Sequence, residues 1–177
     1  MKEILQKTLE VIRIVLNVLM IIMFVCSLIT IIGGFLSLLP DFDFVQRFIS
    51  YDGEARESVF AIAFITSFVL LQAGISLLLL KRYLDQEIKL GTPFDIDGAK
   101  SLRRTAIKII IISFIAEIVV AVFGGIVQTV DTSISLAGLI EFDCTTMLDL
   151  GLILVLVSLI LEVGANEIAA LKDGKRD

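Results

Sequence analysis

Four runs almost free of charge decide what this chain can fold into. Ile14–Leu39 carries no charged residue, Ser58–Leu80 none, Ile109–Val130 only Glu117, and Leu150–Leu161 none, with the apolar pattern continuing past Glu162 to Leu171. A bilayer crossing takes about 20 mostly apolar residues, so each run is a candidate span. Composition agrees: 57% of the 177 residues are hydrophobic, against about 45–50% in a soluble domain. The sequence reads as an all-α integral membrane protein, a four-helix bundle forming one transmembrane domain over residues 1–177. Its helices are expected at about 5–39, 57–90, 98–128 and 145–172.

The first run is 26 residues long, beyond the roughly 7–15 of a signal-peptide core, and reads as a permanent helix. Orientation follows from Lys and Arg, which gather on the cytoplasmic side of a membrane. Thirteen of the 15 fall at the N-terminal end, around the middle loop and in the C-terminal tail. The first outer loop holds only Arg47 and Arg56, and the third loop has none. Both termini and the middle loop are therefore expected in the cytoplasm, on a multi-pass protein of the cell inner membrane. The outer loops carry nine carboxylates, which accounts for the net charge of −5.

The chain has no His and only two Cys, Cys26 and Cys144. That removes the usual zinc, haem and Ser-His or Cys-His arrangements. The two cysteines are expected at different depths, so Cys144 is either a free thiol or pairs between chains. Phosphate-binding loops and nucleophile elbows are missing as well. The expectation is a protein that is not an enzyme, with no cofactor, no metal and no direct nucleic-acid partner.

Between the second and third runs lies the most ordered connection, Leu90-Gly-Thr-Pro-Phe-Asp-Ile-Asp-Gly-Ala-Lys-Ser-Leu-Arg-Arg104. The second helix leaves the hydrocarbon near Lys81, and "KRYLDQEIKL" keeps a helical pattern. Nine further residues add about 13 Å in the cytoplasm. Gly91 suits a left-handed C-terminal cap and Pro93 blocks continuation. Asp95 or Asp97 caps the next helix, with Phe94 closing the hairpin by apolar contact. Helices 2 and 3 are thus expected to protrude as a hairpin whose turn docks a partner. Lys81, Arg82, Lys100, Arg103, Arg104 and Lys108 are expected to meet lipid head groups.

Within the spans, Glu117 is the costliest residue, because a charge near the bilayer centre is unfavourable by several kcal/mol. Two readings stand. It is a proton or cation site, or it is a polar clasp shared with Ser113 and bonded to Gln72, Asn17 or Ser158. Glu162 and Asn166, with Glu167, form a second polar group: either part of one cavity with Glu117, or the end of a helix emerging from lipid. The first outer loop, with Phe42, Phe44 and Phe48 among charges, suits either an interfacial segment or a lid.

This order of features resembles a bacterial family catalogued as domain of unknown function 2975. The resemblance rests on the Gly-x-Pro-Phe turn at Gly91, Pro93 and Phe94, on Leu102 and Arg103 in the basic helix start, and on the end of the fourth helix, Gly164–Leu171. The family often has an Asn after the turn, where this chain has Asp97 or Gly98. The resemblance implies no catalytic activity. It implies a membrane partner that senses or tethers, since such genes commonly neighbour small helix-turn-helix regulators. The function expected is a non-enzymatic sensor or regulatory anchor docking such a cytosolic regulator. The alternatives are a small transporter or channel built on Glu117 and acting as a homo-oligomer, and an accessory subunit of a larger membrane complex.

Overall fold

The computed structural model describes the backbone of residues 2–38, 56–90, 96–130 and 137–173, and the side chains of residues 7–38, 59–89, 96–125 and 146–170. The described residues form four long helices: α1 (Lys2–Ser37), α2 (Arg56–Leu90), α3 (Ile96–Val130) and α4 (Ala137–Asp173). Each contains a stretch long and apolar enough to cross a membrane. The chain is therefore an all-helical, multi-pass membrane protein in which four spans pack together.

Local chemistry sets the helix ends. α1 stops at Ser37, shortly before Pro40, and α2 stops at Leu90, immediately before Gly91. α3 begins at Ile96, so Asp97 lies inside its first turn and position 95, not 97, is where a cap belongs. α4 begins at Ala137, eight residues before the expected Thr145. The segment from Ala137 to Thr145 has no proline and keeps Leu139 and Phe142 three apart, so nothing interrupts the helix. The outer-loop aromatics, the turn residues Gly91, Pro93, Phe94 and Asp95, and the Cys144 side chain lie outside the described residues.

Neighbouring helices run antiparallel and follow chain order in space: α1 packs along α2, α2 along α3, and α3 along α4, with a small further contact between α2 and α4. Two apolar clusters fill the interior. One joins Ile65 and Val69 of α2 to Ala116 and Val120 of α3. The other joins Leu16 of α1, Leu77, Tyr83 and Leu84 of α2 and Leu102 of α3, with Leu154 and Leu161 of α4 packed against it. The outward faces of α1, α3 and α4 are rows of exposed Ile, Leu, Val and Phe. In water such surface would cost roughly 25 cal/mol per Å²; in lipid it is the expected exterior.

Three glycines mark where backbones meet. A Cβ on Gly34 would stand 2.8 Å from Ala63 Cβ on α2. One on Gly151 would stand 2.6 Å from Ile110 Cγ1 and 3.5 Å from the Ala106 carbonyl oxygen on α3. Small residues permit this approach, the usual means of helix association where lipid removes the hydrophobic drive. Gly33, beside Gly34, faces open space. The third is Gly98, which belongs to the hairpin.

Candidate functional site

The α2–α3 hairpin is held by one register along its whole described length. On α3 the buried stripe is Ala99, Leu102, Ala106, Ile109, Ser113, Ala116 and Val120, of which Leu102, Ser113, Ala116 and Val120 meet α2. The stripe's alternating spacings of three and four are those of a knobs-into-holes seam. On α2, Ile65, Val69, Gln72, Ser76, Tyr83 and Glu87 are buried at matching intervals. Each contact that ties the two helices joins residues equally far from the middle of the turn. Gln72 Nε2 donates to Ser113 Oγ at 2.8 Å. The same symmetry persists deeper in the span, where Ile65 and Val69 lie against Val120 and Ala116. At the tip end, Glu87 faces Gly98.

The Glu87–Gly98 contact was not legible as a site in the sequence. Glu87 is only 2% exposed. A Cβ on Gly98 would lie 2.8 Å from its Oε2 and 3.2 Å from its Oε1. The carboxylate therefore rests on the first turn of α3, where the positive end of a helix favours negative charge. A side chain at position 98 would displace the carboxylate from this place. Tyr83, one turn before Glu87, is also buried and packs into the cluster with Leu102. The only sequence signal is positional: Glu87 and Gly98 are the same distance from the turn.

The polar seam within the spans differs from the expected clasp. Ser113 bonds to Gln72, not to Glu117. Gln72 Oε1 and Ser76 Oγ, one helical turn apart, are buried with no hydrogen-bond partner among the described residues. Glu117 is half-buried and stands away from this seam. It falls seven residues after Ile110 and fourteen after Arg103, both of which contact α4, so it shares the α4-facing stripe of α3. It forms no hydrogen bond or ion pair among the described residues. Ser158 is spent on its own helix, donating to the Val155 carbonyl at 2.7 Å.

The remaining candidates gather near the tip end of the bundle. Lys81 Nζ donates to Asn17 Oδ1 at 2.6 Å, joining α2 to α1. Arg13 approaches Asp85 at 3.7 Å across the same interface. Arg103 Nη1 donates to Glu162 Oε2 at 2.8 Å, joining α3 to α4. Glu162 is thus an ion-pair partner at the level of the hairpin. Asn166 and Glu167 are exposed further along α4, and Asp97, Arg82, Lys100, Arg104 and Lys108 are exposed on the hairpin. Cys26 is a free, half-buried thiol within α1. No cluster of three or more Asp, Glu, Cys or His able to hold a metal ion occurs among the described residues.

Comparison with family models, with curated proteins and with solved structures gives no match for this chain.

Proposed function

We propose that this chain is a non-enzymatic membrane anchor that presents the α2–α3 turn to a cytosolic protein. The observation that carries the reading is the single register running from Gln72–Ser113 in the apolar span to Glu87–Gly98 beside the turn. A lipid-embedded pair of helices needs no buried carboxylate beyond its charged edge. A hairpin that must keep its tip in one orientation does. The basic residues around that end favour a cytoplasmic position for it and for both termini. The nine helical residues after Lys81 support a tip carried about 13 Å past the head groups.

The partner is a regulatory protein of the cytosol, with a helix-turn-helix regulator as the first candidate, and nucleic acid would be met only through it. The test uses full-length protein captured from membranes in mild detergent. Wild type and a Pro93→Ala, Phe94→Ala variant are compared by quantitative mass spectrometry of co-purifying cytosolic proteins. A partner lost with the variant supports the reading; identical recovery sinks it. An accessory role in a larger membrane complex would appear instead as co-purifying membrane subunits unaffected by that variant.

A second reading rests on Glu117, half-buried in the span and outside the polar seam. It makes the protein a proton or cation pathway through α3 and α4, with this carboxyl as the coupling group. Proteoliposome flux that is abolished by Glu117→Gln would favour it, and lack of flux in the wild type would dismiss it.

A further inference from the structure

The basic residues at the tip end fall into two sets. Lys81, Arg13 and Arg103 are held by Asn17, Asp85 and Glu162. Arg82, Lys89, Lys100, Arg104 and Lys108 are exposed and form no ion pair among the described residues. Within this second set Arg82, Arg104 and Lys108 share one side of the hairpin and lie nearest its apolar span. Arg104, Lys108, Ile112 and Ile115 follow one another on α3 at spacings of four, four and three, and so lie on one face. On α2, Arg82 stands seven residues, two turns, beyond Ile75.

Ile75, Phe68 and Leu71 of α2, with Ile112 and Ile115 of α3, line an apolar groove of about 120 Å³ between the two helices. Both walls of this groove therefore lead to a cation at its tip-end mouth. Heights agree as well. Gln72 and Ser113 are bonded, and ten residues toward the turn on each helix bring Arg82 level with Arg103, the neighbour of Arg104. Side chains tilt toward the N-terminus of their helix. Because the helices are antiparallel, Arg82 leans into the groove mouth and Lys108 leans out to it, so the charges converge.

We propose that this groove and the cations at its mouth form a binding site for one anionic glycerophospholipid, its phosphate held by Arg82, Arg104 and Lys108 and an acyl chain lying against Phe68, Leu71, Ile75, Ile112 and Ile115. The charge complementarity selects the head group, since guanidinium groups grip phosphate in bidentate fashion. The apolar groove below the cations selects a lipid over a soluble anion, which has no apolar chain to fill it, and over an acidic protein segment, whose backbone polar groups would go unpaired against its walls. The site requires only insertion in a membrane and is independent of the docking reading.

Native mass spectrometry of the purified full-length protein tests this, with phosphatidylglycerol and phosphatidylcholine of identical chains as probes. Wild type retains one phosphatidylglycerol in preference to phosphatidylcholine. Arg82→Gln, Arg104→Gln, Lys108→Gln together weaken that binding more than about tenfold. Removal of the same charge at Lys2, Lys7 and Lys175 leaves it within about twofold. Ile112→Trp, which fills the groove and spares every charge, weakens binding of phosphatidylglycerol but not of glycerol phosphate. Equal retention of both lipids, equal loss in the two charge variants, or unchanged binding in Ile112→Trp would each overturn the proposal. So would a triple variant that keeps the lipid but loses an acidic protein partner. Circular dichroism and gel filtration confirm that each variant is folded before it is scored.

Discussion

α2 is gripped on two faces, and the two grips differ in kind. Toward α1 the span is joined by small residues and close backbone approach, with the side-chain pairs Lys81–Asn17 and Arg13–Asp85 nearer the tip. Gly34 meets Ala63, Phe24 covers Gly74, and Ser27 and Ser67 exchange hydrogen bonds with each other's carbonyls at 2.8 and 3.0 Å. Toward α3 the contact is a seam of interlocking side chains with one amide–hydroxyl bond in the span and one buried carboxylate near the turn. The first grip is spread along the span over close approaches of small residues, with its polar pairs at several levels. The second is specific, because slipping α3 by one turn would break Gln72–Ser113 and drive Glu87 into a side chain. A membrane protein that needs only to stay assembled can use the first kind everywhere. The second is what aims a hairpin.

The comparison can be broken most severely at the glycines. Gly34→Val drives a side chain into Ala63 Cβ, which cannot yield, and should cost about 3 kcal/mol, the upper range for overpacking, loosening α1 while the hairpin keeps its protection. Gly98→Val displaces the flexible end of Glu87 and should destabilise the hairpin by about 2 kcal/mol. Amide hydrogen exchange in nanodiscs would show that second loss confined to residues near the turn. If both variants open the same residues, the two grips are one cooperative unit and the distinction fails.

The polar seam gives a sharper test at smaller amplitude. Ser113→Ala leaves the Gln72 amide buried without its partner and should cost about 1–2 kcal/mol in reversible detergent unfolding. Adding Gln72→Leu removes the stranded group and should recover most of that loss, since replacing both members of a buried pair by apolar groups is nearly neutral. A double variant worse than Ser113→Ala would mean that Gln72 has work beyond the seam. The smallest effect belongs to Ser27→Ala, about 0.6 kcal/mol, the average for hydrogen bonds between membrane helices.

How much of this the sequence discloses depends on the kind of information involved. Helix number is carried by composition, and four uncharged runs became four helices. The end of α2 at Leu90 follows from Gly91 and Pro93. The start of α4 at Ala137 was hidden because the β-branched and small polar residues between Thr129 and Thr146 make that segment resemble a loop. Pairings were harder still, because they depend on azimuth and register. Glu117 drew attention as a charge in an apolar run, yet one turn separates it from Ser113 and turns it from α2 toward α4. Glu87 drew none, because a glutamate in "KRYLDQEIKL" looks solvated. Only the antiparallel return of α3, with glycine at position 98, buries it. Arg103 and Lys81 looked like lipid contacts until Glu162 and Asn17 came within reach.

The central claim is that α2 and α3 hold one fixed register as far as the turn. Spin labels at the exposed positions Gln86 and Lys100, in protein lacking Cys26 and Cys144 and embedded in nanodiscs, test it by double electron–electron resonance. A single narrow distance distribution that broadens in Gly98→Val is the result this account predicts. A distribution already broad or multimodal without that substitution would contradict it.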